Sequence, residues 1–136
     1  MMRQTDLKII AMVAASLCSF APTQGKAENC DGLQTQGDMT ICETRNLKQD
    51  DESLNAVYKK LVSKISPAGR DRLREAETSW VRYRDAQCEF NTAGSEGGSI
   101  HAMMLGQCLS ALTRAQTEEL RSQLSCEEGD MSCGNQ

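Results

Sequence analysis

The chain is predicted to be all-α: a small disulfide-stapled bundle of about three helices, two of which form a helical hairpin. Three observations carry this expectation. Apolar residues recur at helical spacing in three separate stretches. Clusters of Ser, Pro and Gly separate those stretches. No run alternates apolar with polar residues as a half-buried strand would.

In the first stretch Leu54, Val57, Tyr58, Leu61 and Ile65 fall at spacings that line one face of an amphipathic helix. Asp50, Asp51 and Glu52 precede that face and suit a helix start through capping and the helix dipole. Met39 and Cys42 extend a similar stripe upstream, so the helix is expected to begin near Gln36 and run to Ile65, after a lead-in loop over residues 31–37. Ser66-Pro67-Ala68-Gly69 closes this helix and opens the next: Ser66 can cap, and Pro67 suits a first helical position. Leu73, Ala76, Trp80, Tyr83 and Gln87 then hold one face of a second helix expected to end near Phe90. Residues 91–99 read as a flexible loop by composition. Ser99 is a candidate cap for a third helix, whose face carries Leu105, Leu109, Leu112, Leu120 and Leu124, interrupted by Gln116.

The ends divide the chain further. Arg3 and Lys8 make a basic start, an apolar run ends before Pro22, and Gly25 and Ala27 stand at the minus-three and minus-one positions of a cleavage site. Residues 1–27 are therefore expected to be a secretory signal peptide, residues 28–125 the helical domain, and residues 126–136 a short polar tail. The apolar run is too short for stable membrane insertion. Leu17 before Cys18, with Ala15 at minus three, does not suit lipidation. The expected compartment is periplasmic or secreted.

Cys18 leaves with the leader. Cys30, Cys42, Cys88, Cys108, Cys126 and Cys133 remain, and an even count in an exported chain reads as disulfides. Six cysteines allow fifteen pairings. An antiparallel hairpin brings Cys88, near the end of the second helix, level with Cys108 in the third. Cys30 is then expected to pair with Cys42, and Cys126 with Cys133; an exchange in which Cys30 or Cys42 reaches Cys126 or Cys133 is the alternative.

The formal net charge is −4, with 15 basic and 19 acidic residues. Removing the leader takes away Arg3, Lys8 and Lys26 against Asp6 alone and leaves a more acidic domain. Such a chain repels nucleic acid and attracts basic partners. Catalytic sets are missing. His101 is the one histidine, there is no Cys-x-x-Cys pair and no His-Glu-x-x-His, and no Gly-x-Ser-x-Gly elbow or glycine-rich phosphate loop occurs. Glu75 and Glu77 do not share a helix face. No enzyme, cofactor or metal site is expected. Trp80 and Tyr83 read first as core residues. Arg84 and Asp85 are neighbours that point about 100° apart on a helix, so each is expected to bond another element rather than its neighbour.

The string Trp80-Val81-Arg82-Tyr83-Arg84-Asp85-Ala86-Gln87-Cys88 resembles the Trp-x-x-Tyr-Arg-Asp-x-x-Cys signature of the LprI-type lysozyme-inhibitor family of small bacterial envelope proteins. Around it, Cys30 and Cys42 match an opening cysteine pair with Met39 three before the second. Leu54-Asn55 followed by Tyr58 looks like a Leu-Asn-x-x-Tyr element, Leu73 and Ala76 lead into the signature, and Gly98-Ser99, Cys108, Thr113 and Arg114 resemble the closing part. The likeness covers roughly residues 30–120. It departs at Glu77, where the family often has Gln, and Cys126 and Cys133 lie beyond the common pattern.

The resemblance implies a lysozyme inhibitor that acts on a basic partner by surface docking and cleft occlusion. The loop of residues 91–101, with Glu96, Ser99 and His101, is the candidate contact. Two rival readings use the same scaffold. One is an immunity protein against an envelope-targeted bacterial toxin; the other is a periplasmic stress or assembly factor that binds a peptide or small ligand. The sequence does not define the oligomeric state.

Overall fold

The computed structural model describes residues 26–127, 129–131 and 133. Its regular structure consists of α1 (Gln36–Lys64), α2 (Pro67–Thr92) and α3 (His101–Leu124), with a 3-10 turn at Ala93–Ser95 before α3. The expectation of an all-α bundle of three helices holds among these residues. Residues 1–25 of the expected leader, and Glu128, Ser132 and residues 134–136 of the expected tail, lie outside them.

Local chemistry accounts for most boundaries. Thr35 caps α1: its hydroxyl oxygen accepts from the Asp38 amide at 3.1 Å and donates to the Asp38 carboxylate at 2.6 Å. Asp50, Asp51 and Glu52 therefore cap nothing; they lie in the middle of one continuous helix. Ser66 accepts from Gly69 N at 3.1 Å, and Pro67 opens α2 as its sequence position suggests. α2 continues to Thr92, two residues past the expected end. The segment expected to be a loose loop is mostly structured, first by α2 and then by the 3-10 turn, and Gly97 supplies the positive φ (76°) that reverses the chain. Ser99 does not cap α3. Ile100 stands at that position without a side-chain bond, while Ser99 donates across to Gln36 on α1 at 3.1 Å.

Cross-helix bonds set the register. Ser99 meets Gln36, Gln107 donates to Glu43 at 3.0 Å, and Arg114 donates to Asp50 at 2.9 Å. Numbers rise together on both helices, so α1 and α3 run parallel, and the α1 partners recur every seven residues, or two turns. Arg84 reaches Asp51 and Thr113, and Gln116 donates to Glu77, so α2 runs antiparallel to both. The α2–α3 hairpin is present, but the closer helix pair is α1 with α3.

A stripe of small and polar residues makes that approach close. Gly106, Ser110, Thr113, Thr117 and Leu120 are the buried residues of α3, and Gly106 lies against Glu43. The leucines Leu105, Leu109 and Leu112 flank the stripe half-buried instead of leading it. On α2 the inward face is Leu73, Glu77, Trp80, Arg84 and Gln87, not the face through Ala76 and Tyr83. Tyr83 is 56% exposed, which corrects its assignment to the core; Trp80 does pack there. Polar residues that find partners inside a bundle are invisible to an apolar-period argument, and this rotates the true face relative to the expected one.

The interior thus has two halves. Around the α1–α2 turn, Leu54, Leu61, Ile65 and Leu120 form an apolar cluster, with Val57, Tyr58, Leu73, Trp80 and Leu124 packed against it. Towards the other end, burial passes to cysteines and polar side chains: Glu43, Asn46, Cys88, Thr92, Ser110 and Thr113. Cross-links replace apolar area there. Cys30 is joined to Cys42 and Cys88 to Cys108, with Cα separations of 5.9 and 5.6 Å. Cys126 is joined to Cys133 in the tail.

Candidate functional site

Two regions concentrate side-chain chemistry: a clamp at mid-height and the polar end of the bundle. The clamp is built on Arg84. Its side chain is 15% exposed. One guanidinium nitrogen, Nη1, donates to Asp51 on α1 at 3.1 Å and to Thr113 on α3 at 3.1 Å, while Nε donates to Asp85 at 2.9 Å. The guanidinium also lies 5.3 Å from the centroid of the Trp80 ring, within cation–π range. One residue of α2 therefore binds all three helices. The expectation that Arg84 reaches a neighbouring helix is met. The expectation that it would not pair with Asp85 is wrong, because the long arginine side chain folds back along the helix and closes the 100° gap. Its geometry is that of a structural bolt.

Leu54 and Tyr58 join the apolar cluster on either side of Asn55, which is exposed. Glu77 sits half-buried one turn from Trp80 and accepts from Gln116 at 2.5 Å. Burial raises its carboxyl above the ordinary carboxylate range, and the Gln116 hydrogen bond opposes part of that rise.

The polar end gathers the residues proposed from sequence for contact. Glu96 is exposed and has no ion pair among the described residues. Ser99 is exposed but engaged with Gln36. His101 is half-buried, its Nδ1 3.0 Å from the Ser95 hydroxyl. The three share one end of the bundle, yet only Glu96 presents an unengaged side chain outward.

Sequence reasoning missed what stands beside them. The lead-in segment folds back along α1, where Glu28 meets Arg45 and Asn46. Exposed Leu33 (39%) and Ile41 (60%) line a groove of about 400 Å³ with Glu28, Asp38 and Arg45. A second cleft of about 230 Å³ lies between the lead-in segment, α1 and α3, lined in part by Glu28, Glu43, Asn46, Gln107 and Ser110. The seven-residue step from Glu43 to Asp50, matched by Gln107 and Arg114, was the available signal for this pairing. Among the described residues no group of three acidic, cysteine or histidine side chains could hold a metal ion, and no helix is long and apolar enough to cross a membrane.

Residues 27–120 match the family model described as lysozyme inhibitor LprI. A protein of Rhizobium meliloti (strain 1021), described as uncharacterized, is 29% identical over 127 residues, covering 82% of this chain and 91% of its own. No solved structure matches.

Proposed function

The chain belongs to the LprI lysozyme-inhibitor family, and on that premise we propose that it is an exported acidic binding protein that inhibits lysozyme by docking the polar end of its bundle over the enzyme's cleft. It acts as a surface, without catalysis of its own. The observation that carries this reading is the groove beside α1, where exposed apolar Leu33 and Ile41 stand with the carboxylates of Glu28 and Asp38 and the guanidinium of Arg45. An apolar centre with a charged rim is the usual anatomy of a protein-binding patch. Acidic charge suits a basic enzyme and accelerates encounter over a Debye length of about 10 Å.

Rigidity supports the same reading. The Cys30–Cys42 and Cys88–Cys108 bonds and the Ser99–Gln36 bond hold the patch's elements together before any partner arrives, which lowers the ordering cost of binding. The contact surface is therefore wider than the turn carrying Glu96, Ser99 and His101, and includes the lead-in segment.

The test is lysis of bacterial wall by lysozymes of several structural classes, with the oxidised chain starting at Glu28 as inhibitor. Saturable inhibition that weakens as salt rises supports the reading. Binding of an envelope peptide or a toxin domain, with no effect on any lysozyme, would replace it.

A further inference from the structure

The cleft of about 230 Å³ between the lead-in segment, α1 and α3 has features that the docking surface does not explain. Glu43 is only 9% exposed, and among the described residues it has no ion pair and accepts a single hydrogen bond, from Gln107. Ser110 is 1% exposed, and its hydroxyl has no hydrogen-bond partner among the described residues. Buried polar groups left this way are costly, and a buried carboxylate calls for a cation. Arg114 also lines the cleft, but its guanidinium is engaged by Asp50.

Glu28 lines the same cleft, and its backbone is held from both sides. Its N–H donates to Asn46 Oδ1 at 2.8 Å, and Asn46 Nδ2 donates back to the Glu28 carbonyl at 3.0 Å. Asn46 is 4% exposed, and its amide also lies 3.3 Å from Cys30 Sγ. The Glu28 carboxylate is fixed separately by Arg45 at 2.6 Å. Before Glu28 the hydrogen bonding stops: Ala27 borders the same cleft, but it and Lys26 are exposed and form no hydrogen bond among the described residues. The fold thus takes hold of the chain at the residue that follows the small-residue pair Gly25 and Ala27.

We propose that this cleft is a socket for the chain's own amino terminus, completed when a signal peptidase cuts after Ala27. The cut is a hydrolysis. Water opens the Ala27–Glu28 amide, Ala27 leaves as a carboxylate, and the Glu28 nitrogen takes up protons to become an ammonium. An amide has one N–H, and Asn46 already accepts it. An ammonium has three donors and a positive charge. One donor keeps the Asn46 bond, and the others meet a cleft that supplies the Glu43 carboxylate and the Ser110 hydroxyl oxygen. Processing therefore does more than release the protein: it supplies a cation for the buried Glu43 carboxylate and adds a further tie between the lead-in segment and α1. This inference stands apart from the lysozyme reading.

The experiment compares three oxidised chains: one beginning at Glu28, the same chain acetylated at its amino terminus, and one beginning at Ala27. Edman sequencing of the protein exported from its full-length precursor accompanies them. The expected first residue is Glu28, and the chain with the free ammonium is expected to melt about 3–6 °C above the other two. Glu43→Gln should erase most of that difference, and in the acetylated chain, where the carboxylate has no ammonium to meet, it should not lower the melting point. Asn46→Ala should erase it as well; should that variant fail to fold, Glu43→Gln alone decides. A different first residue, three equal melting points, or a difference that survives Glu43→Gln would each overturn the proposal.

Discussion

Arg84 of α2 and Asp51 of α1 meet at 3.1 Å, and the same guanidinium nitrogen bonds Thr113 of α3 at the same distance. The join sits between the apolar half of the interior and the polar half. Arg84→Ala is expected to destabilise the fold by about 1–3 kcal/mol, because it leaves the buried Thr113 hydroxyl unpaired and strips the guanidinium from Trp80. Arg84→Lys keeps the charge but loses the planar fork, and should still cost about 1–2 kcal/mol. Urea unfolding followed by circular dichroism measures both. Equal stability of Arg84→Ala and the parent would show that the clamp is not structural.

Trp80 and Tyr83 separate by environment despite their helical spacing. Trp80 packs on the apolar cluster, while Tyr83 is 56% exposed. Trp80→Ala should cost about 2–3 kcal/mol, and Tyr83→Ala within about 0.5 kcal/mol. A large loss at Tyr83 would mean that a partner covers it in solution.

Glu77 sets a pH dependence of defined sign. Its carboxyl is raised in the fold by burial, so the folded state holds that proton more tightly than the unfolded chain does. Its contribution to stability is favourable below the unfolded value and is lost as pH rises through the folded one. Glu77→Gln, which keeps an acceptor for Gln116, should therefore raise the melting point at pH 7 by about 1–3 °C. The advantage should shrink as pH falls below the carboxylate range. Melting curves between pH 3 and 8 decide it, and a variant less stable at pH 7 would contradict the account.

The disulfides should rank by what they join. Cys88–Cys108 ties α2 to α3 across 20 residues, and its removal by paired alanine substitution should cost about 3 kcal/mol. Cys30–Cys42 holds the lead-in segment to α1, so its loss should free that segment first. Cys126–Cys133 closes a seven-residue loop within the tail and should matter least to the bundle. Thermal unfolding of the three double variants gives the order.

The sequence made the helices legible because each carries its own signals: Ser66 and Pro67 at one junction, and the Leu54–Ile65 stripe through the apolar cluster. The Cys88–Cys108 pairing was legible because helical geometry brings those residues level, whereas the other two pairings carried an open exchange. The inward faces of α2 and α3 were harder to read. Glu77 and Arg84 point inward because Gln116, Asp51 and Thr113 satisfy them, and no count of apolar residues anticipates that. The close parallel pairing of α1 with α3 likewise rests on small residues, Gly106 and Ser110, that hydrophobic periodicity ignores. At the polar end, Glu96 stood out as a charge in a turn. Leu33 and Ile41 read as ordinary loop and helix residues until the lead-in segment folded back to make a groove with them.

The most direct test of the docking account is a titration of lysozyme activity by the oxidised chain starting at Glu28, repeated with the double variant Asp38→Lys, Glu96→Lys. The parent should inhibit saturably at low salt, and the variant, verified as folded by circular dichroism because Asp38→Lys removes a cap bond of α1, should inhibit at least about tenfold less. No inhibition by the parent, or equal inhibition by the folded variant, would contradict an inhibitory surface at this end of the bundle.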